Sequence, residues 1–211
     1  MSDAEGVAGA AGGHWDAVYA SKPAETVSWF QERPDTSLRL LTAAGDPAGA
    51  VIDVGAGRSP LAGALLTTGW SDVTVLDVSA QALEQAVGHL AEHRDALTVI
   101  VADLLKWAPP RAYQLWHDRA VFHFLVDPAD RNRYLATARR AVAPRGALVL
   151  GTFGPDGPTS CSGLPTARYD APTLAGQFAP DFALEHVESE QHTTPAGVAQ
   201  PFTWVVLRRA S

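Results

Sequence analysis

A glycine turn and three carboxylates stand at intervals that suit the binding of a nucleoside. The stretch Val51-Ile52-Asp53-Val54-Gly55-Ala56-Gly57-Arg58-Ser59-Pro60-Leu61 reads as a buried strand that stops in a glycine turn and restarts as a helix. Gly55 and Gly57 permit positive φ and let bare backbone approach a ligand, the way α/β proteins hold the end of a nucleotide. A dinucleotide fingerprint G-x-G-x-x-G begun at Gly55 would need glycine where Pro60 stands, and proline suits the first turn of a helix instead. Asp77 ends the next apolar run about two dozen positions beyond Asp53. A carboxylate there accepts hydrogen bonds from ribose hydroxyls; the alternative is a cap on the following helix, a role for which Ser79 competes. Asp103, in Val101-Ala102-Asp103-Leu104, holds the equivalent place after the third run and either reads an adenine edge or caps a turn.

These residues need a scaffold, and the pattern after residue 50 supplies one. Short apolar runs alternate with helical ones, the signature of parallel βαβ units. Strands are expected at Ala50 to Val54, Val73 to Asp77, Thr98 to Ala102, Tyr113 to His117, Ala147 to Phe153, Phe182 to Ser189 and Phe202 to Arg208. Helices are expected at Leu61 to Thr68, Ala80 to His93, Pro128 to Ala143 and Ala171 to Phe178. The last two strands read as a hairpin. A flavodoxin-like domain of about five strands would leave the β-rich end from Phe182 surplus. In such a sheet the ligand lies outside the carboxyl ends of the strands, so the string His117-Asp118-Arg119 and the nearby His123 fall beside Asp53, Asp77 and Asp103.

The 211 residues fit one domain: a tail over 1–13, then 14–211, with 14–48 as a helical lid rich in aromatics. No apolar run approaches a membrane span, and Met1 to Gly13 lacks the basic and apolar regions of a secretion signal, so a cytoplasmic protein is expected. A formal charge of −7 and a pI near 5.4 oppose a general affinity for nucleic acid. One cysteine, Cys161, excludes internal disulfides and thiolate zinc clusters. His117 and His123 lack both the i, i+4 spacing and a third ligand, and no metal is expected.

Ile52-Asp53-Val54-Gly55-Ala56-Gly57, Val75-Leu76-Asp77-Val78-Ser79, Ala102-Asp103-Leu104 and Leu115-Trp116-His117-Asp118-Arg119-Ala120 resemble, in order and spacing, the motifs of class I S-adenosylmethionine-dependent methyltransferases. Ser59 replaces a frequent third glycine, and Gln114 stands where an acidic residue often begins the fourth motif. The resemblance implies a Rossmann-like α/β fold, a seven-stranded, mostly parallel sheet in the order 3-2-1-4-5-7-6 with helices on both faces. It implies S-adenosylmethionine as cofactor and S-adenosylhomocysteine as product, held by Asp53, Gly55, Ala56, Gly57, Arg58, Asp77, Val78, Asp103, Leu104 and Asp118. Trp116-His117-Asp118-Arg119 followed by Pro128-Ala129-Asp130-Arg131-Asn132-Arg133-Tyr134, with the lid His14-Trp15-Asp16-Ala17-Val18-Tyr19, is similar to the thiopurine and thiol S-methyltransferase group. Trp15-Asp16-Ala17-Val18-Tyr19 also resembles enzymes that methylate protein lysines.

A sulfonium methyl is transferred by in-line displacement, so the protein chiefly aligns the reactants. Trp15, Tyr19 and Trp29 are candidates to face the sulfonium or simply to pack the lid; Phe30, Phe122, Phe153 and Cys161 are candidates to touch the acceptor. A thiol needs little help to ionise, whereas an ammonium or hydroxyl needs a base, for which His117, Asp118 and His123 are the candidates. Arg119 either meets an anionic substrate or anchors Asp118. The expected activity is methyl transfer to a small thiol, sulfur or nitrogen nucleophile, with protein lysine N-methylation as the alternative.

Overall fold

The first strand, β1 (Val51–Val54), is buried at every position, as is β2 (Val73–Asp77), because both faces of the sheet they share are covered. The computed structural model describes residues 9–211, with side chains from Gly12 onward. Helix α1 (Gly9–Ser21) and α2 (Asp35–Ala44) precede β1. Then follow α3 (Leu61–Thr67), β2, α4 (Ala80–Val87), β3 (Leu97–Val101), β4 (Tyr113–Arg119), α5 (Pro128–Ala141) and β5 (Val142–Phe153). A two-residue hairpin of β6 (Ser160–Cys161) and β7 (Leu164–Pro165) leads to α6 (Ala171–Phe178), β8 (Phe182–Thr193) and β9 (Ala199–Arg209). Helix α1 begins within the segment expected as a tail, and residues 1–8 of that expectation lie outside the described residues.

The main sheet has seven strands in the order β3-β2-β1-β4-β5-β9-β8. Neighbours from β3 to β5 run parallel, and β9 lies antiparallel to both β5 and β8. This is the expected order, with the small β6–β7 hairpin standing apart. One core, with Leu61, Leu65, Val149 and Trp204, packs the face under α2 and α3; the other, with Trp116, Phe122, Tyr134 and Phe178, packs the face under α5 and α6.

Helix starts follow their caps. Ser79 Oγ accepts from Ala82 N at 3.2 Å, Asp127 Oδ1 from Ala129 N at 2.8 Å, and Asp170 Oδ1 from Thr173 N at 2.8 Å. The helix expected over Ala80 to His93 stops at Val87, because Gly88 follows and glycine is a poor helix former; a 3-10 turn then spans Ala91–His93.

Several strands run further than expected, and the extensions of β4, β8 and β9 have consequences for the site. β4 continues beyond His117 to Arg119, pairing Asp53 with His117, Val54 with Asp118, and Arg119 with Gly151. Side chains alternate along a strand, so His117 and Arg119 face one side of the sheet and Asp118 the other. The β8–β9 hairpin reaches Thr193 and Ala199, past the Phe153–Phe202 pair that ends the β5–β9 ladder. Its tip thereby reaches the strand-end side of the sheet.

Candidate active site

At the carboxyl ends of the parallel strands two cavities open side by side. The larger, about 280 Å³, runs from Asp77, Val78, Asp103 and Leu104 at the ends of β2 and β3 to Arg119, Phe153, Cys161, Gln200 and Phe202 at β4, β5 and the two hairpins. The smaller, about 60 Å³, lies over the glycine turn, lined by Asp53, Gly55, Ala56, Gly57, Arg58, His117 and Arg119. Gly55, Tyr19, Trp29 and Arg119 line both, so the two spaces meet there.

The turn can only be glycine. Gly55 has φ of 64° and Gly57 φ of 50°; a Cβ on Gly55 would come 2.1 Å from Val121 Cγ2, and one on Gly57 2.3 Å from Tyr19 Oη. Asp77 braces this turn from the neighbouring strand: its Oδ2 accepts from Gly57 N at 2.8 Å and its Oδ1 from Ser79 N at 2.8 Å. Burial pushes the Asp77 carboxyl up to about 6, against the pull of these hydrogen bonds. Ser79, not Asp77, caps α4. Asp103 Oδ1 accepts from Leu105 N at 3.0 Å and its Oδ2 pairs with Lys106 at 3.0 Å, so its carboxylate fixes the turn after β3.

The lid lies across the larger cavity. Trp15, Tyr19 and Trp29 form one aromatic cluster, with Trp15 and Trp29 edge-to-face at 6.0 Å and Trp15 resting on Phe124 at 5.2 Å. Side chains of the body clasp the lid by its carbonyls. Arg58 donates to Tyr19 O at 2.6 Å and Lys22 O at 2.9 Å, Arg119 to Trp29 O at 3.1 Å, and His192 Nε2 lies 2.7 Å from Ser28 O.

His117 does not meet the larger cavity. Its Nδ1 lies 2.7 Å from Asp53 Oδ1 and its Nε2 3.0 Å from Ser37 Oγ on α2, while its ring stacks on Trp204 at 5.9 Å. Both ring nitrogens are engaged, so His117 orients Asp53 and lacks a free nitrogen for a proton. Asp53 Oδ2 is buried without a partner among the described residues, at the edge of the smaller cavity.

Asp118 lines neither cavity, which corrects its expected contact with acceptor or cofactor. It accepts from Tyr134 Oη at 2.6 Å, Val121 N at 2.9 Å and Phe122 N at 3.1 Å, and Tyr134 Oη also receives Trp116 Nε1 at 2.9 Å. The reason is the length of β4, whose alternation turns Asp118 toward α5. Burial raises its carboxyl to about 6 despite those donors. Phe122 is likewise corrected: it is wholly buried against Tyr134, Phe178 and Tyr169, away from any acceptor. Phe30 lines the smaller cavity and not the larger.

Arg119 and His123 do line the larger cavity. Arg119 sits with Cζ 4.8 Å from the Phe202 ring centre, and its Nε and Nη2 are buried without partners among the described residues. Burial lowers its guanidinium to about 10, which leaves it charged at neutral pH. His123 is packed on Phe153 at 4.3 Å and Phe124 at 4.6 Å, and its Nδ1 accepts from Phe153 N at 3.2 Å. Burial first, and the Arg119 charge second, push it down to about 3, so the ring is neutral. Gln200, Phe202, Ser28 and Phe124 line the cavity without having been singled out in the sequence. The spacing of Gln200, Phe202 and Trp204, period two on a strand, was the available signal, since Trp204 on the same face meets His117.

With this geometry established, comparison with known proteins decides the class. Residues 51–146 match the family described as a methyltransferase domain. The matched segment is a little under half of the chain. No curated protein matches it in sequence. Among solved structures, an S-adenosylmethionine-dependent methyltransferase from Anabaena variabilis superposes with a TM-score of 0.73 at 19% identity, over 96% of this chain and 95% of that one. A protein of echinomycin biosynthesis, studied for converting a disulfide bond into a thioacetal group, gives 0.74 at 21% identity over 94% and 93%. The 1,6-didemethyltoxoflavin N1-methyltransferase of Burkholderia thailandensis gives 0.71 at 16% over 94% and 84%. The fold is that of class I S-adenosylmethionine-dependent methyltransferases, and the enzyme class is methyl transfer with that cofactor.

Proposed function

We propose that this methyltransferase moves a methyl group to a small-molecule nucleophile enclosed beneath the aromatic lid. The observation that carries the reading is the continuity of the cavity: strand-end carboxylates lie at one end, an aromatic and cationic chamber at the other, and Gly55 lies between them. The small molecule 1,6-didemethyltoxoflavin, substrate of the Burkholderia thailandensis methyltransferase, and the disulfide-to-thioacetal conversion of echinomycin biosynthesis support the same reading.

The residues suit the cofactor. Bare backbone at Gly55 and Gly57 leaves room where any Cβ would collide, and Asp77 stands where a ribose binds. Unpartnered Asp53 Oδ2, in the smaller cavity, suits an ammonium, and the aromatic cluster suits a sulfonium, with roughly 0.5–2 kcal/mol per cation–π contact. When bound, the cofactor supplies an electrophilic methyl on a positive sulfur. The protein's part is to orient and to exclude water: His117 fixes Asp53, Asp77 fixes the glycine turn, and the clasps on Tyr19, Lys22, Ser28 and Trp29 hold the lid down. Such positioning contributes on the order of 7–11 kcal/mol to barrier reduction in favourable cases. The acceptor is expected at the Arg119, Phe153, Cys161 and Phe202 end. A buried guanidinium there opposes a lysine ammonium.

The test has two arms. Calorimetry with S-adenosylhomocysteine is expected to show one site per chain, and preferential binding of NAD would overturn the cofactor. Incubation with methyl-labelled S-adenosylmethionine, a set of small thiols and N-heterocycles, and cell-extract proteins is expected to label the small molecules. Label confined to protein bands would reverse the acceptor class.

A further inference from the structure

The acceptor end of the cavity holds unpartnered hydrogen-bond donors on Arg119 and His123, and the one basic nitrogen of His123 is already engaged by the Phe153 amide. We infer that the acceptor binds as a planar anion, its charge paired with Arg119 and a conjugated carbonyl oxygen received by His123 Nε2–H. This rests on the reading of the protein as a small-molecule methyltransferase and names the chemistry of its substrate.

His123 settles the polarity of its own corner. Its Nδ1 accepts the Phe153 amide hydrogen at 3.2 Å, so in the neutral ring the proton resides on Nε2. Nε2 is buried and unpartnered among the described residues, as are Nε and Nη2 of Arg119, and both side chains line the same cavity. A buried donor without an acceptor costs about 1–3 kcal/mol, more when charged, and an oxygen- or sulfur-bearing anion relieves all three.

The surrounding carboxylates compensate the Arg119 charge only from a distance: Glu190 and Asp53 favour it electrostatically, and among the described residues no carboxylate hydrogen-bonds its Nε or Nη2. Asp77 and Asp103 line the cavity from β2 and β3, across β1 from Arg119, and both carboxylates are engaged by backbone amides or Lys106. Asp53, on β1, is engaged by His117 through Oδ1, and its free Oδ2 belongs to the glycine-turn cavity. Glu190, on β8, accepts Gln31 Nε2 at 3.3 Å and Trp204 Nε1 at 2.6 Å. His192 meets Ser28 O through Nε2 and lies outside the cavity lining. The walls are the rings of Phe153, Phe202 and Trp29, which suit a flat conjugated partner.

The reaction then balances without a protein base. The acceptor's lone pair forms the new bond to the methyl carbon, the carbon–sulfur bond breaks with its pair left on sulfur, and an anion and a cation become two neutral molecules. No proton is released in the cavity.

The test is calorimetry on protein saturated with S-adenosylhomocysteine, using 2-thiobarbiturate as a planar anionic probe, 1,3-dimethyluracil as its neutral counterpart and benzylammonium as a cation. Thiobarbiturate is expected to bind at least tenfold more tightly than either. Arg119→Gln should weaken it by tenfold or more and His123→Phe by about fivefold, with S-adenosylhomocysteine affinity held within twofold in His123→Phe and falling at least threefold less than thiobarbiturate affinity in Arg119→Gln, which also loses the clasp on Trp29 O. Arg119→Lys, which keeps the charge and guards against a folding defect, should fall between wild type and Arg119→Gln. Stronger binding of benzylammonium or dimethyluracil overturns the inference. So does an equal loss of S-adenosylhomocysteine in Arg119→Gln, which would assign the guanidinium to the cofactor. If thiobarbiturate fails while S-adenosylhomocysteine binds, the anionic acceptor is wrong and the methyltransferase reading stands. If S-adenosylhomocysteine itself fails to bind, both fall.

Discussion

His117 Nδ1 lies 2.7 Å from Asp53 Oδ1 across the β1–β4 ladder, where the two residues are register partners and both are buried. Parallel neighbours in register point to the same side of the sheet, so the pair forms wherever the two strands join. His117→Phe keeps the stacking surface on Trp204 but strands Asp53 Oδ1 and Ser37 Oγ. With about 1–3 kcal/mol for each of the two buried groups left unpaired, a loss of roughly 2–6 kcal/mol is expected. A urea titration reads it, and an unchanged midpoint would show that the pair does not hold the strands.

Tyr134 supports two partners at once, and its removal should depend on pH. Tyr134→Phe deprives Asp118 Oδ2 and Trp116 Nε1 of their shared hydroxyl. The Asp118 carboxyl is raised in the folded protein from its ordinary 3.8 to about 6, so its contribution is fully present below pH 3.8 and is lost as pH rises through 6. Tyr134 stabilises the ionised form, so the variant's deficit should be larger at pH 8 than at pH 5, reaching about 2–3 kcal/mol. Thermal melts at the two pH values check this, and equal deficits would contradict it.

Gly57→Ala places a Cβ against Tyr19 Oη in a backbone of positive φ. The expected result is at least a tenfold weaker S-adenosylhomocysteine complex. Adding Tyr19→Phe should restore part of the loss by removing the hydroxyl, while the strain at φ remains. Full restoration would show that the clash alone was responsible.

Arg58→Ala should free the lid with little effect on the body. Its guanidinium holds Tyr19 O and Lys22 O and lies 5.0 Å from the Tyr19 ring centre. Amide exchange in α1 should accelerate by an order of magnitude or more while the unfolding midpoint shifts by less than about 1 kcal/mol. Exchange that stays slow would mean the aromatic cluster holds the lid without the clasp.

The glycine-turn half of the candidate site was legible because its signals are local. A strand, two glycines and a helix start are contiguous at Val51 to Leu61, and Asp77 and Asp103 close the two strands that follow. The strand order was legible from the resemblance of these motifs. The half around Arg119 and Phe202 depends on strand length, which composition does not fix. Two further residues on β4 turned Asp118 from the cavity toward Tyr134, while Arg119 turned in. Phe122 and Phe124 straddle His123 in one 3-10 turn, yet only Phe124 reaches the cavity, a choice made by tertiary packing. Gln200 and Phe202 arrive from a hairpin more than a hundred residues beyond the glycine turn, and alternation alone said strand without saying which space it would wall.

The placement of β9 between β5 and β8 bears on assembly as well as on binding. β5 carries Leu148, Val149 and Leu150, all fully buried, and one of its edges is paired only by β9. Until the β8–β9 hairpin docks, that apolar strand presents open amide and carbonyl groups to any other chain, the situation that leads to edge-to-edge association. The same docking brings Gln200 and Phe202 to the cavity wall. Weakening the hairpin would therefore surface first as poor solubility during folding, and the chamber around Arg119 is completed in the step that removes this hazard.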